Sequence, residues 1–289
     1  MNAARKIKKV FRSKQTIEGA GVHLKRAFGF SEAGQFDPFL LMDDFRSENP
    51  NHYSKGFPWH PHRGIETITY ILQGKVEHGD SLGNSGIIDS GDVQWMTAGS
   101  GIIHQEMPKG DTSGRMEGFQ LWANLPAAEK MMPPRYRDVK SDEIPLITLE
   151  NGVQIKIICG RVNNVQGPVR DIMIDPEYLD ITVPAHTDYE HPTKTGHTVF
   201  AYVIGGRGYF GMETDPLADN GTIILFTDGN TVHIKTGDDS IRFLLISGKP
   251  LDEPVAWHGP IVMNTQEELR LAFDEYQKGT FLKHRREGN

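Results

Sequence analysis

With 289 residues, 37% hydrophobic and 24% charged, the chain is long enough for one large or two ordinary globular domains with a real core. A net charge of −7 argues against a dedicated nucleic-acid binder, and no apolar run approaches the ~20 residues needed to span a bilayer as a helix. Cys159 is the only cysteine, so no intrachain disulfide can form and a reducing cytoplasm is the expected home.

The start of the chain carries positive charge with no apolar stretch behind it, so no secretory signal is expected. Basic runs at 6–9 and 283–286 read as solvated termini. Glycine (31) and proline (17) are frequent, which favours short strands joined by tight turns. Residues 8–30 alternate apolar and polar positions around Gly19, Gly21 and Gly29, and predict two or three strands. Residues 36–45 read as an apolar strand ending in acids, and a loop over 46–58 delivers the chain to His60. From Glu66 a β-branched run reaches Gln73 and Gly74, a strand and then a turn. Further short strands over 75–80, 87–89, 93–97, 102–107 and 117–125 predict a sandwich or barrel.

Residues 126–145 change character. Pro126, Pro133, Pro134 and Pro145 surround a charged stretch, and 127–132 could form one helical turn. The expected domains are therefore 1–130, a linker at 131–148, and 149–289. A second β-rich block runs from about 153 to 248. Thr265 and Glu268 form a capping-box pattern followed by Leu269, Phe273 and Tyr276, which predicts a helix over 266–278 ended by Gly279.

Two stretches carry the chemistry. One is His60-Pro61-His62-Arg63-Gly64-Ile65-Glu66 and the other is Gly101-Ile102-Ile103-His104-Gln105-Glu106. On a strand, residues two apart point to the same side, so His60 projects with His62 and His104 with Glu106. If the two strands face one another, three imidazoles and a carboxylate converge. Glu66 shares the parity of His60 and His62 and stays open as the carboxylate. A lone strand histidine is usually structural; four ligand-type side chains in two matched pairs shift the balance toward a metal. Arg63 is expected to pair with a surface acid, and Trp95 and Trp122 to sit in the core. Gly99 and Gly101 are expected to serve the bend before His104. The remaining histidines, His78 and His191 among them, have no matched partner.

The two blocks look like one β-domain used twice. Residues 64–74 align with 196–206, placing Tyr70 over Tyr202; residues 97–106 align with 226–235, placing His104 over His233. On that alignment His60 meets Pro192, His62 meets Lys194 and Glu106 meets Lys235, so the second block has lost the ligands.

The His-x-His-x3-Glu-x7-Gly segment and the later Gly-x2-His segment resemble the two cupin motifs. The longer strings His60-Pro-His-Arg-Gly-Ile-Glu-Thr, Gln94 to Pro108, Gln120 to Pro126 and Gly259 to Glu268 are similar to the signature of pirins, over essentially the whole chain. The resemblance implies an all-β protein, two jelly-roll (cupin) β-barrels in tandem with a C-terminal helix, and metal only in the first. By family pattern the ligands are His60, His62, His104 and Glu106. The implied cofactor is one divalent metal ion, Fe(II) first, with Zn, Mn, Ni, Co or Cu compatible with the same donors. The set leaves coordination positions open, unlike closed structural zinc sites. The implied activity is that of a quercetin 2,3-dioxygenase, opening flavonols with O2, with a small phenolic substrate and Glu106 as the catalytic base. The alternative is a non-enzymatic, iron-dependent, redox-sensitive regulator acting through a protein partner. A monomer without membrane or direct nucleic-acid contact is expected.

Overall fold

The computed structural model describes residues 4–212 and 214–284. Strands dominate, with α-helix confined to Ala33–Phe36 and Gln266–Gln277 among the described residues. The chain folds as two compact units that interleave in sequence. One comprises residues up to Lys14, 36–38 and 142–250; the other comprises 15–35, 39–141 and 251 onward.

The unit containing the two motifs has a seven-stranded antiparallel sheet. Its order is Arg135–Val139, Val93–Thr97, Ile65–Gln73, Glu117–Asn124, Phe39–Asp44, Val22–Phe28 and Lys14–Glu18. A four-stranded sheet, Phe57–His62, Ile102–Lys109, Lys75–Asp80 and Ser85–Ile88, faces it; Glu106 on the second sheet accepts hydrogen bonds from Thr69 and Gln120 on the first. This is the jelly-roll arrangement expected, built as two facing sheets rather than a closed hydrogen-bonded cylinder.

The other unit runs Ile7–Arg12, Thr222–Phe226, Thr198–Gly208, Ile241–Gly248, Glu177–Val183, Gln154–Cys159 and Leu146–Thr148, with a separate pair Asp188–Pro192 and Thr231–Lys235. Its interior is one apolar cluster of branched aliphatics, including Ile155, Ile157, Leu179, Ile181, Val203 and Leu245, all wholly buried.

The boundaries differ from 1–130, 131–148 and 149–289. Residues 131–148 are not a bare connection, because Arg135–Val139 pairs with Val93–Thr97 and extends the seven-stranded sheet of the motif unit. The C-terminal helix also packs within the motif unit. Thr265 and Glu268 make both halves of the capping box, worth about 1 kcal/mol. Leu269 and Ala272 then bury against Ala256, Ile261, Met263 and Phe281. Arg63 fastens this helix. Its guanidinium is 2% exposed, pairs with Glu275 at 2.8 Å, donates to the carbonyls of Ser100 and Phe281, and lies over the Phe281 ring. An acid is its partner, as expected, but in a buried clamp rather than on the surface. Residues 36–45 shorten to the strand Phe39–Asp44, preceded by the one-turn helix Ala33–Phe36. Of the C-terminal basic run, Arg285 and Arg286 lie outside the described residues. No helix among the described residues is long and apolar enough to cross a membrane.

Candidate metal centre

His60 and His62 lie on an edge strand. Pro61 is tolerated between them because an edge strand leaves one side without ladder bonds. The register places His60 directly opposite His104 and His62 opposite Ile102. Three imidazoles thus meet. Their ring centroids are 4.8 Å (His60–His62), 4.3 Å (His60–His104) and 5.0 Å (His62–His104) apart. Among the described residues they form the group whose ligand atoms all lie within 4.8 Å of one another.

The hydrogen bonds fix the tautomers of two rings. His60 Nδ1–H donates to the Pro58 carbonyl at 2.9 Å and His62 Nδ1–H to the Pro260 carbonyl at 3.0 Å. Each Nε2 then carries a lone pair, and the two Nε2 atoms stand 3.1 Å apart. Facing lone pairs repel unless a cation or proton lies between them. That separation also matches the edge of about 3 Å between neighbouring ligands each ~2.1 Å from one ion. His104 is wholly buried, and neither of its nitrogens has a hydrogen-bond partner. Burial first, and charge on neighbouring histidines second, hold His62 and His104 well below the ordinary imidazole value. Both rings stay neutral and able to ligate near neutral pH. A buried, unpartnered, neutral imidazole beside two fixed lone pairs fits a divalent metal.

Glu106 and Glu66 part company. The two strands are interrupted at Gly64, whose φ of +78° and close approach to the Val262 carbonyl admit no side chain. Parity therefore does not carry from His62 to Glu66. Glu66 lies opposite Thr97 and Ala123, on the face of its sheet away from Thr67 and Thr69, and accepts from Thr97 Oγ1 at 2.6 Å. Burial raises its pKa. Glu106 instead lines the same cavity as His60 and His62. Its carboxylate accepts from Thr69 Oγ1 at 3.0 Å and from Gln120 Nε2 at 3.1 and 2.9 Å. It stands beside the three-histidine group rather than within its 4.8 Å limit. Gly99 bends the chain before His104; its φ is +52°, and a Cβ there would meet the Met132 carbonyl at 2.2 Å.

Several contributors escaped the sequence reading. Trp122 Nε1–H donates to Gln120 Oε1 at 3.0 Å, so the Gln120 amide can only present its N–H group to Glu106. Trp122 is half-buried and stands edge-on to His62 at 5.0 Å, in the cavity wall rather than the core expected for it; Trp95 is 2% exposed, as expected. Trp257 and Pro260 reach the site from near the end of the chain. His78 is buried, faces Glu106 across the ladder, and lies 5.4 Å from the His104 ring. The alternation His78-x-Asp80 was the available signal, since both side chains turn inward. The cavity itself is about 780 Å³ and is walled by His60, His62, Glu106, Gln120, Trp122 and Trp257 among others.

The second block corrects the internal alignment. On its corresponding strands Tyr189, His191, Val232 and Ile234 are buried, while His233 lies on the opposite face, 30% exposed, paired with Asp188. His233 is therefore not the counterpart of His104: a one-residue slip turns every side chain to the other face. The inward histidine is His191, and both its nitrogens are occupied. Nε2–H donates to Glu177 at 3.0 Å, and Nδ1 accepts from the Tyr189 hydroxyl at 2.8 Å.

Comparison with known proteins agrees with this architecture. Residues 21–123 match the family model for pirin and residues 178–282 that for the pirin C-terminal cupin domain. A pirin-like protein of Caulobacter vibrioides is 42% identical over 279 residues, covering 96% of this chain and 99% of that one. Human pirin is 37% identical, covering 96% and 94%. A crystal structure of quercetin 2,3-dioxygenase from Acinetobacter baumannii superposes with a TM-score of 0.87 at 31% identity, covering 96% of this chain and 99% of that one. The chain belongs to the pirin family of bicupins.

Proposed function

We propose that the protein is a metal-dependent dioxygenase that opens flavonols such as quercetin with O2, using one Fe(II). The observation that carries this reading is the convergence of three imidazoles, with burial holding His62 and His104 neutral, beside an aromatic-walled cavity of about 780 Å³ that His60 and His62 line, a volume suited to a small organic ligand. The name of the Acinetobacter baumannii relative points the same way.

His60, His62 and His104 would hold the ion. When bound, it supplies Lewis acidity and open positions for O2 and substrate. The protein does the rest. Pro58 and Pro260 carbonyls hold the His60 and His62 rings with their Nε2 atoms inward. Trp122 and Trp257 offer flat apolar faces for an aromatic ring and exclude water from it. Glu106 takes the proton of the flavonol 3-hydroxyl, with its carboxylate aimed by Gln120 and Thr69. As a fourth ligand Glu106 would be a poorer base, and the base role keeps the bonds it makes here.

The test is O2 uptake by Fe(II)-loaded protein with quercetin. Uptake is expected with wild-type protein in air and a loss of at least about 100-fold in His62→Ala. Unchanged uptake in that variant, or quercetin loss in anaerobic buffer, contradicts the proposal. Bound iron with no uptake would turn attention to the regulator reading.

A further inference from the structure

The wall of the cavity carries a pattern that the metal does not require. Cross-strand partners share a face of a sheet, so the register defines rows. Arg26 lies opposite Asp43, Asp43 opposite Gln120, and Gln120 opposite Thr69. The row is polar throughout. It begins beneath Glu106, which Gln120 and Thr69 hold, and runs outward for two strand spacings to Arg26, roughly 10 Å. The adjacent row is apolar at the cavity, with Leu41 opposite Trp122. On the other side of the polar row lies Phe45. One polar stripe between apolar flanks suits a flat ring system with a polar edge.

The outer end of the stripe has a definite chemistry. Arg26 Nε and Nη2 donate to the two Asp43 oxygens at 2.9 and 2.8 Å, and Nη1 pairs with Glu18 at 2.9 Å. All three side chains line the cavity. The Asp43 side chain is 10% exposed. Each of its oxygens has a second lone pair beyond the one given to Arg26, and Glu18 is 41% exposed. One arginine thus holds two carboxylates whose remaining capacity is to accept. Acceptors recognise donors, so the complement is an O–H group and not a carbonyl or an ether. A buried acceptor penalises a ligand that removes its water and returns no hydrogen bond.

We propose that the Asp43–Arg26–Glu18 cluster is the specificity-determining edge of the cavity, and that it selects flavonols whose ring remote from the histidines carries adjacent hydroxyl groups. This rests on the dioxygenase reading for the orientation of the ligand, with its 3-hydroxyl at Glu106. The remote ring then reaches the outer strands, where Asp43 and Glu18 accept its two O–H bonds while Trp122 and Leu41 cover its face.

Binding without turnover separates the two ideas. Iron-loaded protein under anaerobic conditions is titrated, by tryptophan fluorescence and calorimetry, with quercetin and with 3,5,7-trihydroxyflavone, the same flavonol with an unsubstituted remote ring. Wild-type protein is expected to prefer quercetin by about 10-fold or more. Glu18→Gln, at an exposed position, and Asp43→Asn should each bring the two affinities together. Equal affinities in wild-type protein, or a preference untouched by both variants, overturn the proposal. No binding of either flavonol overturns this and the dioxygenase reading together. Preference for quercetin without O2 uptake on admitting air overturns the dioxygenase reading and leaves the specificity edge standing.

Discussion

His104 and His191 are both wholly or almost wholly buried strand histidines, and they have opposite surroundings. His191 has a donor on one nitrogen and an acceptor on the other, and the cluster around it is packed with branched aliphatics. Burial pushes the Tyr189 phenol up, so it keeps the proton it donates. His104 has a partner on neither nitrogen and packs against His60 and His62, which line a large cavity with a polar stripe. A satisfied histidine is a structural element; an unsatisfied one in the same fold is a demand for a ligand. One jelly roll was filled and the other kept hollow, and the difference lies in a few inward positions.

The comparison can be broken at either histidine. His104→Ala removes a proposed ligand and no hydrogen bond. Metal affinity is expected to fall at least about 100-fold, read by chelator competition, while the protein stays folded with a thermal midpoint lowered by the packing the buried ring gave up. His191→Phe should do the reverse. It leaves the Tyr189 hydroxyl and Glu177 without their partner, at about 2 kcal/mol by denaturant unfolding, and leaves metal affinity unchanged.

Smaller effects sharpen the account of the hollow unit. Gln120→Leu takes one of the two donors from the Glu106 carboxylate and leaves Thr69, so kcat with quercetin should drop about 10-fold while iron content is kept. An equal loss of iron would make Gln120 part of the metal support instead. Lys130 is the gentlest probe. Its ammonium donates to Gly64, Val262 and Asn124 oxygens at the turn that follows His62, and burial pushes its pKa down to about 7 from 10.5. Between those values the unfolded chain holds the proton that the folded chain has released, so stability rises with pH across that window. Lys130→Met should flatten this part of the stability profile, measured by urea midpoints at pH 7 and 9.

Local spacing made much of this legible. The alternation in His60-x-His62 and His104-x-Glu106 survives folding because each pair lies within one strand, and the capping box marks the start of the last helix. Legibility ended where the backbone broke or the chain returned. Glu66 shared the parity of His62 until Gly64 interrupted the strand. His233 aligned with His104 by composition, yet alternation puts it on the other face. Gln120 and Trp122 act on the site through hydrogen bonds to Glu106 and to each other, which only strand register reveals. Trp257 and Pro260 join from a segment that the order of the chain assigned to the other domain.

The most direct measurement is iron per chain, by elemental analysis, in anaerobically loaded wild-type, His104→Ala and His191→Phe proteins. One equivalent is expected in wild-type and in His191→Phe, with almost none in His104→Ala. Iron retained in full by His104→Ala, or lost in His191→Phe while the protein remains folded, would contradict the assignment of the metal to the hollow unit.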